Sequence, residues 1–219
     1  MPELSVASPS ARKSREPAHD LVSSLRRHFE TGATKSLAWR LSQLDALEHF
    51  LMEREDDILA AARADLGKPE TEGFGSEIGM ALAELRLVRK HLRAWMKPKR
   101  VRTSLLALPG RSYIYREPLG VMLVIGAWNY PLLLMTMPLV GAIAAGNCAV
   151  LKPSELAPAT SALIAEWIPK YLDSKAVRVV EGGVPETTAL LREKWDHILY
   201  TGSSRVGRIV MEAAAKHLT

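Results

Sequence analysis

The chain has 219 residues, 47% hydrophobic and 24% charged, the balance of an ordinary globular protein with enough apolar material for one large or two small domains. Its one cysteine, Cys148, excludes an internal disulfide and a cysteine-rich zinc site and fits a reducing, cytoplasmic compartment, while His19, His28, His49, His91, His197 and His217 show no paired metal-ligand spacing, so no metal is expected. The net charge is +5, but Arg86, Arg89, Lys90, Arg93, Lys97, Lys99, Arg100 and Arg102 cluster without an acid and with only Trp95 interleaved, which reads as a solvated helix face and its exit loop, not as a nucleic-acid surface.

Residues 1–20 hold Pro, Ser, Ala and mixed charges, with no apolar stretch of secretory length, and read as a disordered tail. From there to residue 110 the segment reads as helical. Leu37, Leu41, Leu44 and Leu51 recur at helical spacing, continuing through Ile58, Ala62 and Leu66 until Gly67 and Pro69 stop the helix. A second stripe, Ile78, Leu82, Leu85, Leu92 and Trp95, ends before Pro98. Residues 111–125 read as a hairpin region: Ser112 to Glu117 alternates like a strand, and Pro118-Leu119-Gly120 is turn chemistry before a new strand at Val121.

From Val121 the rhythm becomes strand then helix, repeated to residue 219. Strands are predicted at Val121–Ile125, Ala149–Leu151, Val177–Val180 and His197–Thr201. Helices are predicted around Leu139–Ala145, Thr160–Leu172, Glu186–Arg192 and Val206–His217. Short strands that are apolar on both faces, alternating with helices, predict an α/β fold: N-terminal helices, then an incomplete Rossmann-like parallel sheet with helices on both faces. The uncharged stretch from Leu132 to Leu151 is long enough to cross a bilayer, but Pro138, Gly141, Gly146 and Asn147 suit alternating short buried elements instead, so no membrane span is expected.

In an open parallel sheet, ligands collect outside the carboxyl ends of the strands, where helix N-termini offer unpaired N–H groups. Asn129, Lys152, Glu155, Gly182, Gly183, Gly202 and Ser203 all follow predicted strand ends and can share one crevice. Cys148 instead begins its strand, and four residues at about 3.3 Å each put it roughly 13 Å from Lys152. It reads as a small buried core residue, not a nucleophile.

Gly202-Ser203-Ser204-Arg205-Val206-Gly207 lies where a pyrophosphate cradle would, with Gly202 for the tight turn, a Ser203 hydroxyl to donate, and Gly207 for close helix packing. It is neither a G-x-G-x-x-G fingerprint nor a P-loop, and a plain strand-to-helix turn is equally compatible. Lys152 and Glu155 could meet ribose hydroxyls, or could be a surface lysine and a helix-capping glutamate. Asn129, held by Trp128 and Pro131 in a rigid turn, suits a donor to a developing oxyanion, although asparagine also simply forms turns.

Glu117-Pro118-Leu119-Gly120, Gly126-Ala127-Trp128-Asn129-Tyr130-Pro131, Gly146-Asn147, Leu151-Lys152-Pro153-Ser154-Glu155, Gly182-Gly183-Val184-Pro185-Glu186-Thr187-Thr188 and Asp196-His197-Ile198-Leu199-Tyr200-Thr201-Gly202-Ser203 together resemble the aldehyde dehydrogenase superfamily. The Gly-Gly-Val-Pro-Glu-Thr-Thr segment and Ile209 to Thr219 resemble its class 3, the fatty and aromatic aldehyde branch. The resemblance runs from about Leu21 to the last residue.

It implies that Asn129 helps form an oxyanion hole, that Trp128 lines the cofactor crevice, that Lys152 and Glu155 meet the adenosine ribose of NAD or NADP, and that Gly182 lies beside the cofactor. Gly202, Ser203 and Gly207 would approach the pyrophosphate. In the family a cysteine attacks the aldehyde, hydride passes to the nicotinamide, and a glutamate-activated water releases the acid. The resemblance places both of those groups beyond Thr219. Residues 21–219 are therefore expected to be an N-terminal cofactor-binding domain, with the catalytic domain absent and the small aldehyde bound only in a full-length homo-oligomer, a dimer. A non-catalytic paralogue that pairs with full-length subunits through the Ser112 to Val121 region is the alternative.

Overall fold

The computed structural model describes residues 17–219. Of the expected disordered tail, residues 1–16 lie outside the described residues, and residues 18–20 open a helix. That helix, α1 (Ala18–Glu30), buries Leu21, Val22 and Leu25.

The long leucine stripe is two helices, α2 (Leu37–Glu53) and α3 (Glu55–Leu66). The break falls at Arg54, which leaves helical geometry with φ −112° and ψ 21°. Glu55, Asp56 and Asp57 then occupy the first turn of α3, where carboxylates complement the helix dipole. Ser36 caps α2 by accepting from the Trp39 N–H at 3.1 Å. The second stripe begins earlier than predicted, as α4 (Glu70–Gly73) running through a π-helical turn at Phe74–Gly79 into α5 (Met80–Trp95). The basic cluster is partly an ionic seam between helices, since Arg89 pairs with Asp45 at 2.8 Å and with Glu48.

The segment after Pro98 departs from the helical reading. Strand β1 (Lys99–Val101) pairs antiparallel with β2 (Ser112–Ile114), in the register Lys99 to Ile114 and Val101 to Ser112. The strand predicted at 112–117 therefore stops at Ile114 and pairs backwards in the chain, not with Val121–Ile125. Pro98 ends α5 and has no N–H to continue it, so the chain leaves the bundle extended, and the ribbon closes on the Ser112 N–H, which donates to Thr103 Oγ1 at 3.0 Å.

The predicted strand and helix alternation is present: β3 (Val121–Ile125), α6 (Leu133–Ala145), β4 (Cys148–Lys152), α7 (Pro158–Tyr171), β5 (Val177–Val179), α8 (Val184–Leu191), β6 (His197–Tyr200) and α9 (Ser204–Ala215). The four strands form one parallel sheet in the order β5-β4-β3-β6. The chain moves outward from β3 to β5, then returns to lay β6 on the other side of β3. Right-handed crossovers consequently place α6 and α7 on one face and α8 on the other. Helix α2 packs on α6 and α7, and α1 packs on α8, so both faces are covered. Every residue of β3 and β4 is buried, as expected of strands with helices on both sides.

Candidate functional site

The parallel register lines up Ile125 with Lys152 and with Tyr200, and Leu151 with Val179. The segments leaving all four strands therefore emerge along one edge. Asn129 and Trp128 follow β3, Lys152 and Glu155 follow β4, Gly182 follows β5, and Gly202, Ser203 and Gly207 follow β6. These eight residues, singled out from the sequence, share that edge. The reversal of winding falls between β3 and β6, so the topological switch point, where open parallel sheets take their ligands, lies between the Asn129 turn and the Gly202 turn.

The opposite edge is spent on structure. Asp196 accepts from Arg26 at 2.9 Å and from the Val121 N–H at 2.8 Å. Asn147 Oδ1 accepts from the Gly120 N–H at 2.9 Å, and Arg40 donates to the Ala144 carbonyl at 2.9 Å. Cys148 also begins its strand there, fully buried, and burial pushes its thiol up to about 12. A thiol in that state is not a nucleophile at neutral pH.

Lys152 is not the surface lysine that one reading allowed. It is 2% exposed, and its Nζ donates to the Pro153 carbonyl at 2.7 Å and lies 3.6 Å from Glu155 Oε2. Burial lowers its pKa, and Glu155, Glu186 and Glu181 oppose that shift. One proton is directed at the Pro153 carbonyl, and the ammonium faces the Glu155 carboxylate. Glu155 has a half-exposed side chain and lies against Gly183, where an added Cβ would sit 3.8 Å from its Cγ. It is not a cap of α7. That task falls to Asp65 of α3, which accepts from the Ala159 N–H at 2.9 Å, the Thr160 N–H at 2.8 Å and the Thr160 hydroxyl at 2.7 Å.

Gly182 has φ +135°, and a side chain there would collide with the Glu186 carboxylate. Glu186 in turn accepts from the Gly183 N–H at 2.8 Å, closing the α8 N-terminus. At α9, Ser203 caps the helix by accepting from the Val206 N–H at 3.4 Å, and this leaves its hydroxyl proton free to donate. The N–H groups of Ser204 and Arg205 open the helix and have no intrahelical partner. Gly207 does not serve the packing role expected of it, because a Cβ there would meet Tyr200 at an ordinary 3.5 Å.

Asn129 is exposed, and within the described residues its side-chain amide makes no hydrogen bond. Trp128 is half-exposed and so is not the clamp on the turn. The grip comes from two residues that sequence reasoning passed over. Lys68 donates to the Asn129 carbonyl at 3.1 Å, and Glu77 accepts from the Leu132 and Leu133 N–H groups at 3.1 and 2.9 Å. The available signal was Glu77 standing beside Ile78 in a helix interrupted by Gly73, Gly75 and Gly79.

Among the described residues no group of three or more His, Cys, Asp or Glu is placed to hold a metal ion, and no helix is long and apolar enough to cross a membrane.

Three comparisons bear on this arrangement. The chain is 54% identical over 202 residues to aldehyde dehydrogenase family 3 member H1 of Arabidopsis thaliana, covering 92% of this chain and 42% of the relative. It is 48% identical over 200 residues to the rat protein named aldehyde dehydrogenase, dimeric NADP-preferring, covering 91% and 44%. The solved substrate-bound AldH of Staphylococcus aureus superposes with a TM-score of 0.91 at 40% identity, over 94% of this chain and 45% of that one. The chain thus spans less than half the length of these relatives. The aldehyde dehydrogenase family model matches residues 5–219, and with half-identical relatives along nine-tenths of its length, this chain belongs to that family.

Proposed function

We propose that this chain is the dinucleotide-binding portion of an NAD(P)+-dependent enzyme that oxidises aldehydes to carboxylic acids. The observation that carries the reading is the contrast between the two edges of the sheet: at the amino edge polar groups are paired with each other, and at the carboxyl edge Lys152, Glu155, Ser203 and Asn129 keep donors or acceptors in hand. That donor set fits a dinucleotide. An ammonium and a carboxylate three residues apart suit a ribose diol, and the start of α9 suits a pyrophosphate.

Lys152 and Glu155 would hold the adenosine ribose, Gly182 would let it approach, and Gly202, Ser203 and Gly207 would meet the phosphates beside Trp128. The cofactor, when bound, supplies the hydride acceptor. Asn129 would donate its amide N–H to the oxygen that becomes negative when the aldehyde carbon is attacked, a role in which one donor typically carries about 10²–10³ in rate. The buried Cys148 cannot be the attacking group, so residues 1–219 alone should form no NADH from an aldehyde.

Three carboxylates around Lys152, at Glu155, Glu181 and Glu186, favour NAD over NADP by repelling a 2′-phosphate, whereas the NADP-preferring name of the rat relative leans the other way. Titration of both cofactors against tryptophan fluorescence tests the reading. No saturable change with either one would reject it. The cytoplasmic location suggested by the lone cysteine belongs to the same proposal and is read by cell fractionation.

A second reading concerns association. Tyr113, Ile114 and Tyr115 are 43%, 49% and 65% exposed on the β2 side of the ribbon, with Leu105 and Leu106 beyond it. Tyr113 and Tyr115 stand together, their ring centroids 6.3 Å apart; exposed apolar patches mark interaction surfaces, and this ribbon suits the dimer expected of the full-length enzyme, or pairing with longer subunits. Sedimentation of Ile114→Asp against the parent chain decides it, since an unchanged mass distribution removes the ribbon from the interface.

A further inference from the structure

The Lys68 and Glu77 side chains are 7% and 1% exposed, and their Nζ and Oε1 lie 2.6 Å apart. Two charges withdrawn from water this far are weak evidence for stability, because well-packed apolar residues of similar volume are often equal or better. What the pair touches is more informative. Lys68 Nζ also donates to Ser76 Oγ at 3.3 Å and to the Asn129 carbonyl at 3.1 Å, and it lies 4.3 Å from the Tyr130 ring centroid. Its three protons are all used. The other oxygen of Glu77 takes the N–H groups of Leu132 and Leu133. The backbone is therefore gripped at Asn129 and again three and four residues later, while the Asn129 side chain is left exposed.

Glu77 comes from the π-helical turn Phe74–Gly79, where the widened helix buries Glu77 and Ile78 side by side. Such turns are frequent at functional sites. Lys68 follows Gly67, which ends α3 in the left-handed conformation at φ +67° and turns the chain inward. Both local irregularities deliver a charge to the same turn of backbone.

We propose that the Lys68–Glu77 pair is a positioning device that fixes the Asn129 turn so that its amide is held ready for a developing oxyanion. This rests on the reading of Asn129 given above. A donor is effective only when its geometry is set before the charge develops, and a loop asparagine has no such constraint of its own.

The test compares the parent chain with Lys68→Met/Glu77→Leu, which removes both buried charges together. In the parent, ¹⁵N order parameters for Asn129, Tyr130, Leu132 and Leu133 should match β3 at about 0.85, and in the double variant they should fall below about 0.6. Amide exchange at Leu132 and Leu133 should quicken by about tenfold or more while β3 and β4 keep their protection. Dinucleotide affinity should stay within about twofold, since Lys152 and the α9 turn are untouched. A rigid turn in the folded double variant, or a mobile one in the parent, overturns the proposal. Where the double variant does not fold, Lys68→Met and Glu77→Gln are read in the same way, and unchanged turn order in either one is equally fatal.

In an active aldehyde dehydrogenase that contains this chain, the double variant should lower kcat by about tenfold or more at unchanged cofactor KM, and Asn129→Ala should lower it without disordering the turn. If Asn129→Ala leaves kcat intact while the double variant still frees the turn, the oxyanion reading fails and the clamp stands.

Discussion

Replacing Lys152 by methionine keeps most of the side chain's volume and removes an ammonium that is 2% exposed. Burial is the largest influence on that group and lowers its pKa, with Glu155, Glu186 and Glu181 only partly offsetting it. The native state therefore binds this proton less tightly than the unfolded chain does. Below the lowered folded pKa the cost of the buried charge is fully present. Between that value and the ordinary 10.5 the unfolded chain carries more protons, so the parent gains stability as pH rises through the window. Each unit of lowering corresponds to about 1.4 kcal/mol. Exchange of buried ions for apolar residues is often neutral or stabilising, and Lys152→Met at pH 7 should fall between unchanged and about 2 kcal/mol more stable. For a chain of this size that is a melting temperature up to about 8 °C higher. The advantage should shrink as pH is raised toward 10.5, because the parent's lysine then sheds its proton. Meanwhile a hydrogen bond from a charged donor contributes about 1.5–3 kcal/mol, so dinucleotide binding should weaken by about 10- to 150-fold. Thermal melts by circular dichroism at pH 7 and 9.5, with fluorescence titration of NAD and NADP, measure both sides. A variant that melts lower by the equivalent of more than about 1 kcal/mol would refute the electrostatic argument, and an unchanged affinity would refute the assignment of Lys152 to the cofactor.

The thiol of Cys148, raised from 9.0 to about 12 by burial, should resist alkylation at pH 8 until the protein unfolds; labelling of the native chain at a free-thiol rate would contradict its placement. Because the folded state holds this proton more tightly, its contribution to stability is present below pH 9 and lost as pH climbs toward 12, a slope that Cys148→Ala should remove. Asp65→Ala strips three hydrogen bonds from the start of α7 and should cost about 2–4 kcal/mol in urea unfolding; a loss under about 0.5 kcal/mol would mean that water replaces the cap. Gly182→Ala drives a methyl into the Glu186 carboxylate at a φ of +135° and should cost about 1–3 kcal/mol, with weaker cofactor binding as Glu186 loses its hold on the Gly183 N–H. Equal stability and affinity would show that the turn has room to adapt.

The parts of the fold that depend on local chemistry were legible in the chain itself. The β3 bounds were read to the residue because Pro118-Leu119-Gly120 and Gly126 punctuate an uninterrupted apolar run, and the alternation after it could only cover a parallel sheet. The edge shared by Asn129, Lys152, Glu155, Gly182, Gly202 and Ser203 followed from position in that alternation, and so did the exclusion of Cys148. The sequence could equally bear the single helix read from Leu37 to Leu66, since one break at Arg54 hardly disturbs a 3.6-residue pattern. It could not show that β2 pairs with Lys99–Val101, because a three-residue strand among Lys and Arg carries no alternation to see.

Which groups are buried together was decided only by the tertiary structure. Lys68 and Glu77 look like surface charges in sequence and become a buried pair because α3, the π-helical turn and the Asn129 turn converge on them. Lys152 sits in an apolar strand whose pattern does not state whether its ammonium reaches water, and the fold withdraws it among three carboxylates from three segments. Periodicity reports which side of an element is apolar. The partners of a polar group come from residues distant in the chain, and their energies depend on a desolvation that exists only once those segments have packed.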